Sequence, residues 1–145
     1  MKIFTSTILI SIFVWTLTSA LQTGETLTQE HAIKLAEKFI IDNGYTSLPP
    51  DKSKLRYELL DQSGNNNADS ILKRRHNTLQ LKAFCISEDN DRWDIGFLST
   101  KIDINKLDSV QRSSNLPGRA VTVMKNGKEI RMAHKDPLFS YFKKL

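Results

Sequence analysis

The chain has 145 residues, with 21 lysines and arginines against 16 aspartates and glutamates, for a net charge of +5. So mild an excess makes no strong field and does not suggest a general polyanion binder; with the export expected below, nucleic acid is not the expected partner. A single cysteine, Cys85, excludes an internal disulfide, so the fold rests on packing alone.

The first twenty residues, MKIFTSTILISIFVWTLTSA, have the layout of a secretory signal. Lys2 is a short basic start, Ile3 to Leu17 are mostly apolar, and Thr18-Ser19-Ala20 offer small residues to a signal peptidase. The apolar stretch is shorter than the ~20 residues a membrane span needs. No cysteine stands near the cleavage point, which excludes a bacterial-type lipid anchor. The expectation is an exported product, periplasmic or secreted, cleaved after Ala20 and free of the membrane. Losing Lys2 leaves 20 basic against 16 acidic residues, a charge of +4. The remaining stretch, 21–145, is read as one domain, and about 125 residues suffice to bury about two thirds of the unfolded chain's surface.

After a loose arm to Leu27, Thr28 predicts a helix N-cap. Ala32, Leu35, Ala36, Phe39 and Ile40 follow as one apolar stripe, and Asn43-Gly44 supplies the stop. Ser47 to Asp51, with two prolines, is a stiff connector. Leu55, Tyr57 and Leu59 alternate with Arg56 and Glu58, predicting a strand with one wet face. Gln62 to Asn67 is turn-rich. Ala68, Ile71, Leu72 and Arg75 are at helical spacing, so a short helix is expected from about 68 to 76. Leu79 to Ser87 reads as a strand, with Leu81, Ala83 and Cys85 on one face and Phe84 and Ile86 on the other. Trp93, Ile95 and Phe97 alternate in the next strand, where Gly96 marks a bulge or a bend. The polar stretch 101–118 is expected to be a long hairpin connection. Asn126-Gly127, between two β-branched runs, predicts a two-residue hairpin. Leu138, Tyr141, Phe142 and Leu145 predict a C-terminal docking helix. This order implies an α+β fold, a helix on one face of a curved antiparallel sheet.

Three stretches carry a resemblance: the helix TQEHAIKLAEKFIIDNGY, the strand DRWDIGF and the hairpin GRAVTVMKNGKEIRM. Together, and in this order, they resemble the small NTF2-like (cystatin-like) α+β proteins of bacteria, in particular NTF2-fold immunity proteins. The helix, the Trp strand and the hairpin also resemble PepSY-type exported modules, which are associated with restraining peptidases. Either resemblance implies a cupped sheet and a binding role.

The chemistry-bearing residues fit that expectation. There is no H-E-x-x-H, no paired cysteine, no G-x-S-x-G and no phosphate-cradling glycine loop. His31, His76 and His134 lie apart, so no metal site or cofactor is expected. Cys85 shares a strand face with Leu81 and Ala83, which favours a packed thiol over a nucleophile paired with His76. Asp89, Asp91 and Asp94 surround a turn without the glycine and terminal glutamate of a calcium loop. The densest basic run is Lys73, Arg74, Arg75 and His76. It reads either as cations meeting the negative end of the second helix or as a patch for an acidic partner protein. Lys125, Lys128 and Arg131 on the last hairpin either guard a sheet edge or touch the same partner. Trp93 and Phe97 either fill the core or line a small-ligand pocket in the cup. The function expected is a non-enzymatic immunity or inhibitor protein that binds a toxin or effector. A peptidase-restraining module and a small-ligand binder are the alternatives.

Overall fold

The computed structural model describes residues 26–62, 67–107, 116–133 and 141–145. The expected signal segment, His134, Leu138 and the middle of the 101–118 connection lie outside the described residues.

Helix α1, Gln29–Asp42, forms where its caps and stripe place it. The Thr28 hydroxyl accepts the His31 N–H at 3.3 Å, while Ala32, Ala36, Phe39 and Ile40 are buried along one side. Its end is a Schellman turn: Gly44 N–H donates to Ile41 O at 3.0 Å and Tyr45 N–H to Ile40 O at 2.9 Å. Gly44 takes the left-handed φ of +81° that this turn demands. Helix α2, Ala68–Arg75, is capped by the Asn67 side chain, which accepts the Ser70 N–H at 2.7 Å. It buries Ile71, Leu72 and Arg75.

The strands are β1 (Cys85–Glu88), β2 (Arg92–Leu98), β3 (Gly118–Met124), β4 (Ile130–Met132) and β5 (Lys143–Lys144). They form one sheet in the order β4-β3-β2-β1-β5, and every pairing is antiparallel. The fold is thus α+β. Trp93, Ile95 and Phe97 stand on one face with Ile86, Val121, Val123 and Met132, and α1 lays its stripe across them. Cys85, Leu98 and Leu116 form a smaller apolar cluster with half-buried Phe84, Ile104, Leu107 and Phe142. The predicted long connection joins β2 to β3, its near end turned by a short 3-10 helix at Ile104–Lys106.

Several expectations need correction. Residues 55–58 are not a strand. Short 3-10 helices at Lys52–Lys54 and Leu59–Gln62 bracket them, and side chains satisfy the backbone in place of a neighbouring strand. Arg56 N–H donates to Asn43 Oδ1 at 2.7 Å and Glu58 N–H to Asp61 Oδ2 at 2.8 Å. The strand predicted from Leu79 begins only at Cys85. Before it, the Ala83 N–H is taken by the Glu37 carboxylate of α1 at 3.2 Å and the Leu79 N–H by Tyr45 O at 2.9 Å. Leu81 is consequently exposed, and Phe84 packs with Cys85 in the smaller cluster. Gly96 marks no bulge, since the register with both neighbours runs through it unbroken. The Asn126-Gly127 hairpin forms, but only Gly127 has positive φ, +69°. Gly127 N–H donates to Met124 O at 2.8 Å and Met124 N–H to Glu129 O at 3.0 Å, so the loop is four residues rather than two. Of the predicted C-terminal docking helix, 134–140 lie outside the described residues, Tyr141 has 3-10 conformation, and the last residues are extended rather than helical. Lys143–Lys144 add to the edge of β1, and Leu145 N–H donates to Phe84 O at 3.1 Å.

Candidate functional site

The basic run at the end of α2 divides. Lys73, Arg74 and His76 are exposed, but Arg75 turns inward and is only 6% exposed. Its guanidinium pairs with Asp61, itself buried, and donates to Arg56 O at 2.9 Å and to Asn43 O at 3.4 Å. Glu58 Oε1 stands 3.6 Å away, and the Tyr45 ring lies 4.8 Å beneath the guanidinium carbon. Arg119, reaching from β3, completes the cluster: it donates to Glu58 Oε2 at 2.7 Å and approaches the same ring at 5.6 Å. A planar five-donor cation can bridge carboxylates and carbonyls in several directions at once, which a lysine cannot. Arg75 therefore fastens the irregular 55–62 segment to the end of α1.

That segment forms one wall of a groove. The opposite wall is β4, and Phe39 of α1 lies in the floor. Two adjoining clefts share Phe39 and Arg56, each of about 500 Å³. The first extends past Leu35 and Lys54 to Lys128 and Ile130, the second past Tyr57 and Leu59 to Arg131 and Met132. Tyr57 is 62% and Leu59 66% exposed, so two large apolar side chains stand at the rim.

The charge on this groove is positive where it is free. Lys38 and Lys54 share Asp42 at 3.1 and 3.6 Å, and Arg119 is held by Glu58. Arg131 leans on Glu129 at 3.1 Å. Arg56 and Lys128 have no ion-pair partner among the described residues.

Of the residues singled out from sequence, Lys128 and Arg131 lie on this groove. Lys125 does not stand free: its ammonium meets Glu88 at 2.6 Å and lies 4.9 Å from the Trp93 ring centre. Trp93 and Phe97 are in the core under α1 and line neither cleft. The Trp93 indole N–H is taken by Leu27 O at 3.1 Å, which ties the arm before α1 to the sheet. Lys73, Arg74 and His76 belong to a separate patch on α2, where Arg74 reaches back to Asp61 at 3.5 Å. Arg56, Tyr57, Glu58, Leu59, Asp61 and Arg119 were not singled out. For residues 56–59 the one signal in the sequence is the alternation at 55–59, read as a strand, and Asp61 and Arg119 lie outside it.

Cys85 is completely buried, and that burial pushes its thiol up to about 12. A thiolate is the reactive form, so the folded protein is expected to be inert to Ellman's reagent at pH 8 and to react fully once unfolded in urea. Rapid labelling of the folded chain would contradict this packing. The sign of the linkage follows: the unfolded thiol ionises near 9.0 and the folded one only near 12, so the cysteine's contribution to stability is complete below pH 9 and fades as pH rises towards 12.

Among the described residues no group of three or more His, Cys, Asp and Glu side chains is gathered for a metal ion, and no helix is long and apolar enough to cross a membrane. Comparison with protein-family models, curated proteins and solved structures returns no match.

Proposed function

We propose that the chain is an exported, non-enzymatic binding protein that neutralises or restrains a partner protein, as NTF2-fold immunity proteins do. One observation supports this reading above the others. The groove between the 55–62 segment and β4 carries exposed Tyr57 and Leu59 in one cleft, Lys128 in the adjoining one and Arg56 in both, and neither cation has an ion-pair partner among the described residues. Exposed large apolar groups with tyrosine and arginine are the composition of protein-binding surfaces. The wall carrying them is held by a buried arginine, and a surface set before binding loses less entropy on contact. Export accords with the leader-like first twenty residues, and the NTF2-like resemblance with a helix laid across an antiparallel sheet.

The test is capture of the tagged full-length chain from its host's periplasmic fraction, followed by reconstitution with the identified protein. The expected result is a stoichiometric complex with Kd below about 1 μM, the range of specific association. Failure to reconstitute any complex, or chemical turnover of the captured protein by the purified chain, would contradict the reading.

A further inference from the structure

We infer that the outer edge of β4 receives an extended, acidic segment of the partner as an added strand, with the groove as its bed. The inference rests on the protein-binding reading above and names the partner's chemistry.

The backbone supplies the first argument. β4 is the end of the sheet order and pairs only with β3 among the described strands. Met124 N–H donates to Glu129 O at 3.0 Å and Ala133 N–H to Ala120 O at 2.8 Å. In an antiparallel pair the residues alternate between facing the neighbour and facing away. Residues 129, 131 and 133 therefore face β3, and Ile130 and Met132 direct their N–H and C=O outward. No described residue bonds to those four groups. A free edge of this kind is a template for another strand unless it is covered or charged against pairing.

The side chains supply the second. Ile130 and Met132 lie opposite Val123 and Val121, so they face α1, whose Phe39 forms the groove floor. A strand laid beside β4 sends alternate side chains into that floor and the rest outward. The floor is apolar, so the inward positions take apolar groups. Arg56 and Lys128, without ion-pair partners among the described residues, line the same groove and favour a segment that also carries carboxylates. The natural occupant is thus an extended run alternating apolar and acidic residues. A second copy of this chain fits less well, because its own β4 edge would bring Lys128 and Arg131 against their equivalents.

The probe is a synthetic octapeptide alternating Val and Glu, titrated into the isotope-labelled full-length chain and followed through backbone amide shifts and exchange. Shifts and slowed exchange at Ile130 and Met132 are expected, with at least tenfold weaker binding by the Val-Lys counterpart. R56E with K128E should weaken Val-Glu binding at least tenfold while keeping the free protein's spectrum. Ile130→Pro removes one outward N–H without touching the β3 ladder, and should also weaken it. Unmoved Ile130 and Met132 amides, or equal affinity for the two peptides, would overturn the inference. So would concentration-dependent dimerisation that protects the same amides without peptide. If a reconstituted partner binds R56E/K128E as tightly as the parent, this occupant is wrong and the binding reading stands. If no partner exists, the binding reading fails whatever the peptide does.

Discussion

Arg75→Ala is expected to lower the unfolding free energy by about 3–5 kcal/mol, the cost of breaking a buried ion pair from one side. The loss has little to do with the attraction itself. Removing the guanidinium takes the closest cation from the buried Asp61 carboxylate, which keeps the Glu58 N–H and Arg74, and strips the Arg56 and Asn43 carbonyls of their arginine donor. Each orphaned polar group then carries its own desolvation cost. Arg75→Lys should recover only part of the loss, because one ammonium cannot span Asp61, Arg56 O and Asn43 O together. Arg75→Met combined with Asp61→Leu should be less harmful than Arg75→Ala alone, since it removes both buried charges. Urea denaturation followed by tryptophan fluorescence measures all three. A loss below about 1 kcal/mol for Arg75→Ala would place the side chain among ordinary surface cations, whose pairs have that size. The variant should also loosen the 55–62 wall, raising amide exchange at Arg56 and Glu58 before the core responds.

Gly44→Ala is expected to be the second large effect. A Cβ at this position would stand 2.5 Å from Leu72 Cδ2, and the backbone φ of +81° is one that side-chain-bearing residues rarely adopt. The conformational penalty and the overpacking together predict a loss of about 2–4 kcal/mol. The two causes separate in a double-mutant cycle. Leu72→Ala clears the clash and leaves the backbone strained, so the double variant should be less destabilised than the sum of the singles. Additive losses would mean that α1 and α2 do not meet through this contact. The position matters to the groove as well. Gly44 brings the chain round so that Asn43 and Tyr45 both reach the Arg75 cluster.

Much of this architecture was written in local signals. Thr28, the Ala32–Ile40 stripe and Asn43-Gly44 specify α1 without help from the rest of the chain. Trp93, Ile95 and Phe97 declare the buried face of β2. The groove was harder to read because its wall has no regular structure. Leu55, Tyr57 and Leu59 mimic a strand's period, yet the 55–58 backbone bonds to the side chains of Asp61 nearby and of Asn43 and Arg75, which come from distant positions. Arg75 was similarly disguised by its neighbours Lys73 and Arg74. Its helical spacing from Ile71 and Leu72 did place it on the buried stripe. Burial of a cation, however, depends on carboxylates at Glu58 and Asp61 that no local pattern links to α2. At Lys143–Lys144, spacing that reads as helical lost to the edge of β1, whose backbone groups accept a strand. Edge pairing is a tertiary event, and neither propensity nor periodicity encodes it.

The central claim is that partner binding uses the groove beside β4 and not the exposed cations of α2. Hydrogen exchange of the full-length chain, free and in the reconstituted complex, tests it most directly. Slowed exchange at Ile130 and Met132 and along residues 55–59, with Lys73 to His76 unchanged, is the predicted result. Protection confined to Lys73, Arg74 and His76, with the β4 edge exchanging as in the free protein, would contradict it.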